Sequence, residues 1–148
     1  MKISTKGRYG LRAMVDIAVN SMGDFIPLKL IAERENISEN YLEQVFSILR
    51  KSDLVKSIRG AQGGYSLSRD ASKITVGEVL RALEGELTIT GDDPEAMQGG
   101  KTIEATINTA VWQTVNNSIN SVVDSITLEN LVDEYKKHSS EYNYDYVI

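Results

Sequence analysis

The chain has no cysteine, only two prolines, one histidine and one tryptophan in 148 residues. Without cysteine there is no disulfide, no thiolate nucleophile, no zinc–cysteine site and no iron–sulphur cluster held in the ordinary way. The one histidine, His138, falls near an expected helix end, and no triad or paired-carboxylate pattern accompanies it, so no general base or nucleophile stands out and an enzyme is not the expected class. No apolar run approaches membrane-spanning length. The basic start MKISTKGRYG is followed by no apolar signal block, so a cytoplasmic protein with no membrane partner is expected.

The remaining composition is that of a globular chain. Forty-one per cent of the residues are hydrophobic, enough for one core with an added element. The net charge of −5 hides a segregation. Residues 1–70 carry 11 Lys and Arg against 8 Asp and Glu, a balance of +3, and residues 71–148 carry 5 against 13, a balance of −8. A basic N-terminal half in an acidic chain is a modest pointer to a nucleic-acid face.

The stretch IRGAQGGYSL, residues 58–67, is rich in glycine and carries a cation, as phosphate-binding loops do. Gly60, Gly63 and Gly64 nevertheless fit neither the P-loop nor the dinucleotide spacing. The following YSLSRD reads as strand and turn, so the nucleotide reading fails.

Periodicity organises the rest. Leu11, Met14, Val15 and Ala18 recur at i, i+3, i+4, i+7, an amphipathic helix capped by Ser4 or Thr5 and ended by Gly23. Leu28, Ile31 and Ala32 mark a short helix stopped at Asn36. Ser38 caps a third helix whose inward face is Leu42, Val45, Phe46 and Leu49. A short helix, a tight turn and a longer helix make a helix-turn-helix. Two β-favouring runs, 55–58 and 65–67, flank the glycine-rich centre as a hairpin, which turns the motif into a winged helix. Thr75 caps a further helix with Val76, Val79, Leu80 and Leu83 inward and Gly85 as its stop.

The segment from Glu86 to Lys101 is irregular and acidic. After it, Ile103, Ile107, Val111, Val115, Ile119, Val122 and Ile126 recur every three or four residues over a helix of ~35 Å at 1.5 Å per residue. Such a helix either crosses the domain as a core helix or packs on a two-fold mate; the second is the expectation. Leu128, Leu131, Val132 and Tyr135 mark the inward face of a terminal helix. The alternating Tyr142, Tyr144 and Tyr146 favour an extended tail. The fold class expected is mostly α with a small β-hairpin: a winged helix-turn-helix domain over 1–85, an acidic loop over 86–101, a dimerisation helix over 102–126, and a C-terminal helix and tail over 127–148.

An α-helix fits the major groove, where each base pair shows a distinct donor and acceptor pattern. The start of the third helix offers Ser38, Asn40, Tyr41, Glu43 and Gln44. Gln44 can pair with adenine, Glu43 can accept from a cytosine amino group, and Tyr41 can reach a phosphate or thymine methyl. Ser47, Arg50 and Lys51 continue one side toward a backbone. Lys2, Ser4, Thr5, Lys6, Arg8 and Tyr9 gather at the start of the first helix, where amides, hydroxyls and cations suit a phosphate. The bland alternative for each is a solvated or capping residue; as a set opposite the apolar face, they point to DNA. A winged helix that binds only proteins is the rival reading.

The stretches MKISTKGRYGLRAMVDIA, ISENYLEQVFSILRKSDLVKSIRGAQGGYSLSRD and ITVGEVLRALEG resemble the Rrf-two family of winged-helix transcription repressors. The resemblance runs almost unbroken from residue 1 to about 85, and its Y-L-E-Q and R-G-x-x-G-G-Y elements in tandem are specific. It implies a homodimer on a palindromic double-stranded operator, with the second helix of the motif in the major groove and Arg59, beside Gly60, in the minor groove. It also implies control of iron–sulphur or cysteine metabolism genes, and the role of dimer helix for 103–126. Cluster-binding members carry three cysteines in the loop before that helix. Asp93, Gly100 and Thr106 stand near those places here, so either the cluster was lost or its cysteines were replaced; with cysteines present, an iron–sulphur cluster would be expected. Asp92, Asp93 and Glu95 read as an acidic surface loop and no metal site is assigned. The end DYVI is similar to the tail by which serine acetyltransferases enter cysteine synthase, which makes Asp145, Tyr146, Val147 and Ile148 a possible contact to that enzyme.

Overall fold

The computed structural model describes residues 1–91 and 100–147, with side chains as far as Ser140. Helix α1 (Thr5–Asn20) starts at the Ser4 cap, whose side chain accepts from the Gly7 amide, and ends at Ser21, before Gly23. Helix α2 (Leu28–Glu35) ends on Asn36, whose left-handed φ of 54° suits an asparagine C-cap. Three residues later α3 (Glu39–Lys51) begins at the Ser38 cap. The hairpin of β1 (Val55–Ile58) and β2 (Gly64–Leu67) follows, antiparallel, with Val55 opposite Leu67 and Ile58 opposite Gly64. The sequence reading missed a third short pairing. Ile26 and Tyr65 exchange two backbone hydrogen bonds of 2.8 Å, which ties the entrance of α2 to the hairpin. Gly64 is what permits it, because a Cβ there would run into the Ile26 backbone.

Helix α4 (Val76–Glu84) carries a full capping box, with Thr75 and Glu78 each bonded to the other's backbone amide. Beyond the loop, α5 (Ile103–Ile107), one π-helical turn (Asn108–Trp112) and α6 (Gln113–Ser125) run on as one helical rod. Helix α7 (Leu128–Val147) completes the chain. Its first residues are drawn alongside the start of α4 by a Thr75–Thr127 bridge, with Leu128 N–H donating to the Ile74 carbonyl at 2.9 Å.

The main core joins α1, α2, α3, the hairpin, α4 and the start of α7. Met14, Ile17, Ile31, Leu42, Phe46, Leu49, Ile74 and Leu128 are fully buried in it. The Phe46 and Tyr65 rings lie 4.8 Å apart and lock α3 onto the wing. A smaller cluster of Val76, Leu80 and Leu87 receives Ile119, Val123, Ile126 and Leu131.

The structure corrects four expectations. The buried face of α1 is Gly7, Gly10, Ala13, Met14 and Ile17, while Leu11, Val15 and Ala18 form its half-buried flank. Small residues were outvoted by large ones in the periodicity, yet they let α4 come close. Tyr135 is 55% exposed and does not join Leu128 and Val132 in the core. The three tail tyrosines lie within α7 rather than in an extended tail, because extending an existing helix gains one backbone hydrogen bond per residue fixed. Ile148 lies outside the described residues, as do the side chains of Asp145, Tyr146 and Val147.

The fourth correction concerns the stripe expected to face a second copy. Ile119 and Ile126 pack against the chain's own cluster of Val76, Leu80 and Leu87, and Ile126 sits past the helix end in extended conformation. Ile103, Val111, Val115 and Val122 are exposed and Ile107 is half-buried. The stripe is therefore divided between a side packed on the domain and a side open to solvent.

Candidate nucleic-acid interface

The apolar face of α3 is fully committed to the core, which leaves its other side to solvent. Ser38, Asn40, Glu43, Gln44, Arg50 and Lys51 are exposed there and Ser47 is half-exposed. Asn40, Glu43, Gln44 and Ser47 line one shallow concavity along the helix. A second groove runs from α3 to the wing and brings Glu43 and Arg50 together with Ser57, Ile58, Arg59, Gly60 and Tyr65. Of the expected helix residues, Glu43 and Arg50 thus share a groove with Arg59 and Gly60 of the wing, and Glu43 borders both concavities. At the wing tip Gly60 has φ of 112° and its carbonyl accepts from the Gly63 amide at 2.9 Å, a turn that places Arg59 in solvent.

Tyr41 has a different environment from its neighbours. It is half-buried and meets Tyr9 edge-on, with ring centroids 6.0 Å apart. Arg12 lies 5.1 Å above the Tyr9 ring, a cation–π contact. These contacts set the start of α1 beside the start of α3.

The first turn of α1 departs from the simple phosphate cradle. One carboxylate oxygen of Glu84, at the end of α4, accepts from the Ser4 amide at 3.1 Å, from the Gly7 amide at 3.1 Å and from the Ser4 hydroxyl. Gly7 gives it room, since a Cβ at that position would overlap the same oxygen. Ser4 is therefore engaged within the chain, and Lys2, Thr5, Lys6 and Arg8 remain exposed around it. Arg8 donates to the Thr5 hydroxyl at 3.3 Å. Sequence reasoning had no route to Glu84, which lies 77 residues from Gly7.

A charged cluster stiffens the scaffold behind this face. Asp16 on α1, its side chain 1% exposed, accepts from Arg34 on α2 through both oxygens, at 2.6 and 3.0 Å. The hydrogen bond that Arg34 donates to Asp16, against the effect of burial, raises the guanidinium above its usual range. Burial first, and then Asp16, push the Glu35 carboxyl upward, while Arg12 at 3.5 Å opposes them.

An iron–sulphur cluster needs thiolate ligands of the ordinary kind, and this chain contributes none. Of the positions near the family's cysteines, Thr106 donates its hydroxyl to the Thr102 carbonyl at 3.0 Å, Gly100 has no side chain, and Asp93 lies outside the described residues together with Asp92 and Glu95. The donor set does not fit a cysteine-held cluster. Among the described residues no group of three or more acidic or histidine side chains converges as a metal site, and no helix is long and apolar enough to cross a membrane.

Residues 3–134 match the family model Rrf2, iron-dependent transcriptional regulator. The HTH-type transcriptional regulator IscR of Xenorhabdus nematophila is 44% identical over 133 residues, covering 89% of this chain and 79% of the relative. Its counterpart in Escherichia coli K12 is 42% identical over 133 residues, covering 89% and 80%. Among solved structures, CymR (YrzC), the global cysteine regulator of B. subtilis, superposes with a TM-score of 0.74 at 41% identity, covering 90% of this chain and 98% of that one. T. potens IscR superposes with a TM-score of 0.75 at 42% identity, covering 93% and 90%. These relatives are regulators of transcription and not enzymes. A winged helix-turn-helix with its polar recognition face free, matched over nearly its whole length to such proteins, belongs to the Rrf2 family of transcriptional regulators.

Proposed function

We propose that the protein is a homodimeric, sequence-specific DNA-binding repressor acting on a palindromic operator. The observation that carries this reading is the groove between α3 and the wing, which Glu43 and Arg50 share with Arg59. In the complex α3 enters the major groove, where Asn40, Glu43, Gln44 and Ser47 meet base edges. Arg59 enters the adjacent minor groove, where narrow A·T-rich segments attract arginine. Lys2, Thr5, Lys6, Arg8, Arg50 and Lys51 hold phosphates and fix register. A second copy covers Ile103, Val111, Val115 and Val122 of the rod, and the two-fold axis it creates sets two half-sites about one DNA turn apart. The name of the B. subtilis relative supports target genes in cysteine or sulphur metabolism.

The test is selection of duplexes by the protein from a random-sequence pool, followed by titration of the enriched duplex at several salt concentrations. Affinity should fall steeply with salt as counterions are released, and the enriched site should be palindromic. Arg59→Ala should weaken binding, most strongly on sites with A·T-rich flanks. If no duplex is enriched and the protein binds partner proteins alone, the reading fails.

A further inference from the structure

Glu84 has no place in the recognition surface, yet it organises one edge of it. Its carboxylate takes up the first amides of α1 (Ser4 and Gly7, both at 3.1 Å) as well as the Ser4 hydroxyl. The partial positive charge of a helix start is thereby satisfied from inside the chain, by a residue of α4. Two of the amides that could cradle a phosphate, those of Ser4 and Gly7, are occupied. Lys2, Thr5, Lys6 and Arg8 are the exposed side chains around the cap.

Lysines on a loosely held segment pay ordering entropy when they bind. The Glu84 contacts hold the start of α1, and the residues just before it, to α4. One turn earlier on α4, Arg81 reaches Asn120 at 3.3 Å and pairs with Asp124, both on α6. Helix α4 is thus pinned to the rod at Arg81 and pins the N-terminal arm at Glu84.

We infer that Glu84 is a positioning residue for DNA binding: it acts through Ser4 and Gly7 to hold Lys2, Lys6 and Arg8 in place for backbone phosphates. This rests on the DNA-binding reading above. It makes an unusual demand of a negative charge close to DNA, namely that removing it should weaken binding.

The experiment compares the parent, Glu84→Ala and Glu84→Gln on the duplex that the parent enriches from a random pool, across a salt series, with thermal melting of each protein alongside. Glutamine keeps a carbonyl acceptor for the same amides and alanine keeps none. Glu84→Ala should bind more weakly and with a shallower dependence of log affinity on log salt, by roughly 1 to 2, since each lost phosphate contact removes about 0.9. Glu84→Gln should restore the parent slope. Tighter binding by both variants would show that Glu84 only repels DNA, and would overturn the inference. A lower melting temperature for Glu84→Ala with an unchanged salt slope would leave a structural role alone and overturn it too. A parent that enriches no duplex overturns the DNA-binding reading and this inference together, whereas a binding parent with an unaffected Glu84→Ala overturns only the inference.

Discussion

The winged helix and the helical rod treat their apolar side chains in opposite ways. In residues 1–85, the inward faces of α1, α3 and α4 converge, and Met14, Ile17, Leu42, Phe46, Leu49 and Val79 lose all contact with water. Along the rod from Ile103 to Ser125, Ile103 is 82% exposed and Val122 is 58% exposed, while the side turned to the domain combines Ile119 and Val123 with polar contacts. That inner side is a ladder at four-residue spacing. Asn116 accepts from the Ile89 amide at 2.9 Å, Asn120 donates to the Leu87 carbonyl at 3.2 Å, and Asp124 pairs with Arg81. The first region is completed by its own chain. The second spends hydrogen bonds on its own chain and keeps apolar surface for something else, which is why a second copy is proposed there. Exposed apolar residues carry information only when they gather.

The sharpest break of this comparison is Phe46→Ala, which empties a fully buried site touching the wing. It should destabilise the fold by about 3–5 kcal/mol, read as a lower midpoint in urea unfolding, and should abolish DNA binding by loss of the folded state. Next is Asp16→Asn. It halves a two-pronged bond to Arg34 and leaves a buried site without its charge, so a loss of about 1–3 kcal/mol is expected; an unchanged midpoint would show that α1 and α2 are held by packing alone. Substituting Val115 and Val122 together by serine should work the other way round. Stability of the separate chain should move by no more than about 0.5 kcal/mol, while sedimentation velocity should show association weakened. Equal association of parent and variant would remove the proposed role of that face.

The smallest effects are electrostatic and separate two glutamates. Burial raises Glu78, but the Arg69 guanidinium and the Thr75 amide outweigh it and hold the carboxyl below its ordinary range. Its contribution is therefore present above the ordinary carboxylate range and lost as the pH falls through the lowered value. Glu35 is pushed upward, by burial first, so stability is gained as the pH falls from that raised value to the ordinary one. Glu78→Gln keeps a capping-box acceptor but loses the Arg69 pair, so it should cost no more than about 1 kcal/mol near neutral pH and flatten the acid side of the stability profile. Glu35→Gln should flatten the part just above the ordinary carboxylate range.

Much of this molecule is legible in local sequence because local rules are local physics. The caps at Ser38 and Thr75, the αL stop at Asn36 and the α3 face of Leu42, Val45, Phe46 and Leu49 need only neighbours within a turn or two. The exposed polar side of α3 is legible for the same reason, since whatever lies opposite a committed apolar face is left for solvent or a partner. Cysteine content likewise decides by itself that no thiolate is available. What the tertiary structure alone decided depends on groups far apart in the chain. The Ile26–Tyr65 pairing, the Asp16–Arg34 bond and the hold of Glu84 on Ser4 and Gly7 join residues separated by 18 to 80 positions. Periodicity could not divide the rod's stripe into an inner and an outer part either. Spacing orders residues around a helix but does not name the neighbour it packs on, so which isoleucine faces home is set by where α4 lies.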